Sequence, residues 1–285
     1  MSDTGTYRIG ELSRRSGVSP ELLRAWERRY GLLAPTRSAG GLRLYSSTDL
    51  ARVQAMQQHL AEGLAAAEAA ARVIRVTADD GMAPPAAGAE LAAALASFDE
   101  GAAHAAFDAL LAQLSLDALL RDIVVPYLHE LGERWERGET SIAQEHFASS
   151  VLRGRLLGLA RGWGQGIGQT ALLACAPGEQ HDLGLLAFGL ALRARGWRIV
   201  YLGADTPVSS AADTAASCDP ALVVVSAVDG RAFRRCAAHL RELADRVNLS
   251  LGGAGACDSR LDVDVPRLTG DPVEEAEQLT RLGWR

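Results

Sequence analysis

The spacing of apolar residues changes twice along this chain, and each change marks a different architecture. From about Glu90 to Gly164 the apolar positions recur every three to four residues: Leu91, Leu95, Phe98, Ala102, Ala106, then Leu110, Leu111 and Leu114, then Ile123, Val124, Tyr127, Leu128 and Leu131. Turn and cap signals at Ser97-Phe98-Asp99, Ser115-Leu116-Asp117 and Gly138-Glu139-Thr140-Ser141 divide this run into about four helices, enough for a small bundle. From Gly166 onward short apolar runs take over, at 170–176, 198–202, 221–228, 248–251 and 265–268. Helix-length stretches at 183–195, 209–217, 231–246 and 272–282 alternate with them. Strands alternating with helices predict an α/β Rossmann-like parallel sheet covered on both faces, with ligands outside the carboxyl ends of the strands. His181, Gly203, Ser226 and Gly252-Gly253 fall at such ends.

The amino-terminal part reads differently again. Ile9-Gly10-Glu11-Leu12-Ser13 begins a short helix, Gly17-Val18-Ser19 makes a turn, and Ser19-Pro20 caps and starts a second helix. Leu22, Leu23 and Trp26 give that helix an apolar side, and Arg24, Arg28 and Arg29 take its outer side. Two extended pieces, Pro35-Thr36-Arg37 and Leu42-Arg43-Leu44-Tyr45, flank Ala39-Gly40-Gly41 and predict a β-ribbon wing. A helix over about 48–76 follows, alanine-rich at 64–71. The expected organisation is multidomain. It comprises a mainly α winged helix-turn-helix domain at 1–76, a Pro/Gly/Ala/Asp-rich linker at 77–89, a four-helix bundle at 90–165 and the parallel-sheet domain at 166–285.

Charge sharpens the contrast between the two ends. The net charge is -6, yet Arg8, Arg14, Arg15, Arg24, Arg28, Arg29, Arg37 and Arg43 crowd the stretch from Tyr7 to Tyr45 against Glu11, Glu21 and Glu27. Every basic residue other than histidine is arginine. A basic module on an acidic protein suggests a nucleic-acid reader joined to something else. A hydrophobic content of 48% with 22% charged residues is that of a soluble globular protein, with no apolar run long enough for a membrane span and no secretory leader, so a cytoplasmic location is expected. Cys175, Cys218, Cys236 and Cys257 form no CxxC pair and read as free thiols.

The chemistry centres on Glu179-Gln180-His181-Asp182-Leu183-Gly184. It places a histidine on the loop after a buried strand. A neutral imidazole there can bind a metal while the acid two positions earlier holds its other nitrogen, and a glycine lets a bulky ligand approach the backbone.

Two resemblances follow from these motifs. Tyr7-Arg8-Ile9-Gly10-Glu11-Leu12, Gly17-Val18-Ser19, Leu22 through Leu32, and Arg37 through Tyr45 resemble the MerR family of winged helix-turn-helix transcription factors. The resemblance implies DNA contacts from Ser19, Arg24, Arg28, Arg29, Tyr30, Arg37, Arg43 and Tyr45. It lacks the paired-cysteine loop of the metal-sensing branch. The segment from Glu179 onward resembles the cobalamin-binding domain of methionine synthase and corrinoid methyltransferase proteins. That resemblance implies His181 as lower axial cobalt ligand, with Glu179, Asp182, Gly184, Ser226, Gly252 and Gly253 around the cofactor and its nucleotide tail. Glu179 stands where many members have aspartate.

The spacing of Trp135, Glu145 and His146 matches the W-x9-EH motif of CarH-type photoreceptor repressors, in which these residues surround an adenosyl group. The resemblance implies a light-responsive repressor rather than an enzyme. Adenosylcobalamin is its expected cofactor, operator DNA its partner, and a tetramer built from dimers its dark state. Glu136 replaces the second histidine that such sensors carry after the tryptophan. That departure keeps open a light-independent sensor of cobalamin or redox state. A corrinoid methyltransferase subunit would share His181 but has no use for a winged helix.

Overall fold

The computed structural model describes residues 7–37, 42–61, 64–70, 73, 85–165 and 168–282. These form two compact units, one carrying the basic reader and the other carrying the bundle together with the sheet.

In the first unit α1 (Ile9–Ser16) ends at Gly17, whose φ of 71° is the left-handed conformation that a side chain resists, and α2 (Pro20–Tyr30) follows at once. The Ser19 hydroxyl caps α2 by accepting the Leu22 amide at 3.3 Å. Strands β1 (Thr36–Arg37) and β2 (Arg43–Leu44) pair antiparallel, and the wing is anchored by reciprocal backbone bonds between Tyr7 and Tyr45. The glycine turn expected between the strands lies outside the described residues. Leu12, Leu23, Trp26, Leu32, Tyr45, Val53 and Met56 make the core. Leu22, expected on the apolar side of α2, is instead 45% exposed.

The single helix expected over 48–76 is broken. Helix α3 (Ser47–Ala61) stops, and the Leu64 amide turns back to the His59 carbonyl at 3.0 Å before helix resumes over 66–70.

The second unit begins with α4 (Pro85–Ala96), so residues 85–89 of the expected linker are helical; the rest of that linker lies outside the described residues. Helix α5 (Glu100–Gln113) is capped by Asp99, which accepts the Ala102 amide. A helical turn at Leu116–Ala118 runs through a π-helical segment, Leu119–Val124, into α6 (Val125–Glu136). Helix α7 (Ile142–Leu159) opens on a reciprocal Ser141–Gln144 capping box. This is the expected four-helix bundle.

The sheet is parallel throughout, in the order β4 (Arg198–Gly203), β3 (Thr170–Cys175), β5 (Leu222–Ser226), β6 (Leu249–Gly252), β7 (Arg267–Leu268). All residues of β3, β5 and β6 are buried, as strands covered on both faces must be. Helices α8 (Leu183–Ala194), α9 (Val208–Cys218), α10 (Gly230–Arg235), α11 (Ala237–Ala244) and α12 (Pro272–Leu282) connect and cover it. The helix expected over 231–246 is two helices. The backbone leaves helical geometry at Cys236, at φ -117° and ψ 15°, so that Phe233 before it and Leu240 after it both enter the core.

The chain leaves β3 toward β4 on one side and returns to β5 on the other, so the strand order reverses beside β3. The crevice at this reversal, outside the carboxyl ends of β3 and β5, is where such sheets bind ligands. Within the same unit the bundle is tied to the sheet layer by Arg195, just past α8, which bonds both oxygens of Asp117 at 3.2 and 2.7 Å.

Candidate cobalt-ligand site and nucleic-acid interface

The loop after β3 is strapped from several directions. The Thr206 amide reaches the Cys175 carbonyl, the Asp205 amide reaches the Glu179 carbonyl, and the Asp205 carboxylate accepts the Gly178 amide at 2.7 Å. On this strapped loop Glu179 is 5% exposed. One of its oxygens accepts the His181 ring Nδ1 at 2.6 Å and the His181 amide at 2.8 Å, and the other accepts the Val228 amide at 2.8 Å. Because Val228 follows β5, this carboxylate spans the crevice at the strand reversal.

Burial alone would raise the Glu179 pKa. The bonds from the His181 ring and from the His181 and Val228 amides, with the imidazole charge, overcome it and hold the carboxyl at about 2. The Glu179 hydrogen bond raises the His181 pKa against the opposing effect of burial, and the charges of Glu179 and Glu145 add to the rise. The His181 side chain is 70% exposed. With Nδ1 engaged by a carboxylate, Nε2 is the nitrogen left for a metal.

The residues on both sides of this imidazole are equally constrained. Asp182 is buried; Oδ1 accepts Arg153 Nε at 2.8 Å and Oδ2 accepts the Tyr201 hydroxyl at 2.9 Å. Arg153 belongs to α7 and was not visible as a site residue in the sequence, although it stands two helical turns after Glu145 on the same face. Glu145 lies in the first turn of α7 and accepts the Ser149 hydroxyl at 2.6 Å and bonds the His146 ring at 2.5 Å. Burial raises its pKa, but those two bonds and the charges of His146 and His181 lower it overall. Glu145 and His181 therefore feel each other's charge, and α7 meets the His181 loop through Arg153, which bonds Asp182 and the Gln180 carbonyl. The His146 side chain is 75% exposed, and Trp135, in the last turn of α6, is 51% exposed.

The other expected cofactor residues line the strand ends. Ser226 closes β5, buried, with its hydroxyl 3.5 Å from the Cys175 thiol. Gly252 closes β6, and the Gly253 amide bonds the Leu268 carbonyl at 3.0 Å. Gly253 has φ 83°, and a Cβ there would lie 2.7 Å from the Ala227 carbonyl oxygen, so this glycine serves the close packing of two loops. Gly184 is the opposite case: it is exposed on the otherwise buried start of α8 and has open space where a Cβ would stand. An exposed imidazole with one nitrogen held, beside a helix turn left open by glycine, fits a bulky metal complex. Among the described residues no three His, Cys, Asp or Glu side chains gather around a point.

On the first unit Arg24, Arg28 and Arg29 are exposed along α2, and Tyr30 is half-buried under the Arg29 guanidinium, 5.8 Å from its ring centre. Arg37 and Arg43 are cross-strand partners; Arg43 is exposed and bonds Glu27 at 3.0 Å, while the Arg37 side chain lies outside the described residues. Ser19 spends its hydroxyl on the helix cap. Tyr45 lies inside the fold. It is fully buried, with its hydroxyl donating to Glu27 at 2.8 Å, so it supports the wing from inside.

Residues 7–73 match the MerR HTH family regulatory protein description, and residues 88–157 and 169–268 each match a B12 binding domain. The chain is 33% identical over 270 residues to the HTH-type transcriptional repressor CarH of Myxococcus xanthus, covering 88% of this chain and 90% of that protein. It is 31% identical over 247 residues to the HTH-type transcriptional repressor CarA of the same organism, covering 83% and 82%. In fold it is similar to the monomethylamine corrinoid protein of Methanosarcina barkeri, with a TM-score of 0.58 and 19% identity over 67% of this chain and 96% of that one. No helix among the described residues is long and apolar enough to cross a membrane.

Proposed function

Because this chain belongs to the MerR-type transcriptional repressors that carry cobalamin-binding domains, regulators rather than enzymes, we propose that it is a light-responsive repressor whose cofactor is adenosylcobalamin. The observation that carries the reading is the exposed His181 ring, fixed through Nδ1 by Glu179 on a loop that Arg153 of α7 grips on both sides. When bound, the cofactor supplies a carbon–cobalt bond that light cleaves with loss of the adenosyl group.

His181 would supply the protein's ligand to cobalt through Nε2, with Glu179 orienting its ring. Ser226, Gly252 and Gly253 would receive the nucleotide tail, Gly184 would leave room beside it, and Asp182 sets the loop from behind. Trp135 would pack against the adenosyl group, Glu145 would accept from its ribose hydroxyls, and His146 would complete the enclosure. In darkness this fixes bundle against sheet and favours a tetramer of two dimers, which presents several basic readers to one operator in the cytoplasm. Linked readers gain effective concentration without a new base contact. Coupling to light requires the two arrangements to hold the cofactor with different affinity.

Glu136, in place of a second histidine after the tryptophan, favours one other reading: a regulator responding to cobalamin supply or redox state without light. Operator affinity and sedimentation of the cobalamin-loaded protein in darkness and under green light separate the two. Loss of both assembly and DNA after illumination supports the photoreceptor. Identical behaviour in both conditions leaves the light-independent sensor, and a protein that takes up no cobalamin overturns both.

A further inference from the structure

Asp182 occupies the N-cap position of α8 yet makes no cap bond. Aspartate at that position normally accepts an amide of the first helical turn, so its carboxylate is committed elsewhere at the expense of the helix end. Its Oδ1 takes both Nε and Nη2 of Arg153, at 2.8 and 2.6 Å, and its Oδ2 takes the Tyr201 hydroxyl at 2.9 Å. Arg153 also reaches the Gln180 carbonyl at 3.4 Å, so one guanidinium grips the residues on both sides of His181. The Tyr201 ring is itself fixed, edge-on to Trp163 with centroids 5.1 Å apart. Glu145, Ser149 and Arg153 form one stripe along α7, and the Ser149 hydroxyl is bonded to Glu145.

We propose that Arg153 is a positioning residue: through Asp182, Gln180 and Tyr201 it locks the His181 loop to α7, so that displacement of the Glu145 end of this helix shifts the imidazole. The inference rests on the cobalamin reading of His181. It differs from simple layer docking, because the Arg195–Asp117 bridge already joins bundle and sheet at the far end of α8, about 18 Å away along a helix of this length.

The test uses the full chain with Arg153→Met, Arg153→Lys, Tyr201→Phe and, as a docking control, Arg195→Met. Cob(II)alamin is the probe, and the nitrogen splitting in its electron paramagnetic resonance spectrum reports the axial imidazole. Arg153→Met is expected to bind about tenfold more weakly and to lose part of that splitting, with partial recovery in Arg153→Lys and a smaller loss in Tyr201→Phe. Hydrogen exchange of the cofactor-free protein is expected to accelerate at the 180–183 amides in Arg153→Met and not in Arg195→Met. Wild-type splitting and exchange in both Arg153→Met and Tyr201→Phe overturn the proposal, as do equal effects from Arg195→Met. A wild-type chain that binds no cobalamin defeats the cofactor reading instead, and the exchange comparison then still decides whether Arg153 holds this loop.

Discussion

Glu179 holds His181 at two points, accepting from its ring Nδ1 at 2.6 Å and from its backbone amide at 2.8 Å. A glutamate has the length to do this while its second oxygen takes the Val228 amide across the crevice. Loop, ring and neighbouring strand end are thus set by a single buried carboxylate.

Glu179→Gln keeps the size of the side chain but loses the charge and one acceptor. Cobalamin affinity is expected to fall by about 10- to 100-fold, the usual cost of losing the group that orients a metal-bound histidine. Glu179→Asp shortens the arm, so it keeps the imidazole or Val228 but not both, and its loss should be smaller. Titration with hydroxocobalamin followed by visible absorption checks both; affinity unchanged in Glu179→Gln would remove this carboxylate from ligand control.

Two glycines that look alike in the sequence should behave in opposite ways. Gly253→Ala puts a Cβ 2.7 Å from the Ala227 carbonyl at positive φ, and is expected to cost about 1–3 kcal/mol in thermal or urea unfolding. Gly184→Ala meets open space and should fold normally, whereas Gly184→Leu should fold and exclude cobalamin. Equal stability of the Gly253→Ala and Gly184→Ala proteins would contradict this packing.

Burial pushes the Tyr45 phenol well above its ordinary value, and the hydrogen bond and charge of Glu27 push it further in the same direction. The folded chain therefore keeps this proton to higher pH than the unfolded chain. The stabilisation is fully present below about pH 10, the ordinary phenol value, and is lost as pH rises beyond it. Tyr45→Phe should cost about 1 kcal/mol near neutral pH and flatten the alkaline loss of stability. Urea unfolding of the two proteins across the alkaline range measures it; parallel profiles would count against the Tyr45–Glu27 pair.

Arg24 is exposed on α2 with no part in the core. Arg24→Ala is expected to weaken DNA binding while lowering the slope of log affinity against log salt by about 1, if it meets one phosphate. Cobalamin uptake should be untouched. Binding isotherms at several salt concentrations decide it, and an unchanged slope would move Arg24 off the phosphate backbone.

The sheet was legible because its buried strands are short unbroken apolar runs, and the edges of 170–176 and 198–202 came within a residue or so of β3 and β4. The Glu179–His181 pairing was legible too, since two residues two positions apart on one loop have few ways to avoid each other. The π-helical segment at Leu119–Val124 was not, because its apolar residues satisfy an ordinary helical period and only the backbone bonding differs. Tyr45 was placed by its motif, which fixes position along the chain and says nothing of burial. Arg153 escaped notice because its partners, Gln180 and Asp182, lie 27 and 29 residues away, and a single sequence carries no trace of so distant a bond.

Helix α8 is walled in on nearly every side, with nine of its twelve residues buried among the sheet, α7 and α12. Sliding it would open voids along three neighbours at once, which close-packed interiors resist. It behaves as an anvil: a pull on the imidazole at its head cannot be absorbed by travel of the rod behind. The first turn of α7 is thinly covered by comparison, so the packing leaves that turn, and not the rod, as the place where the two layers can give.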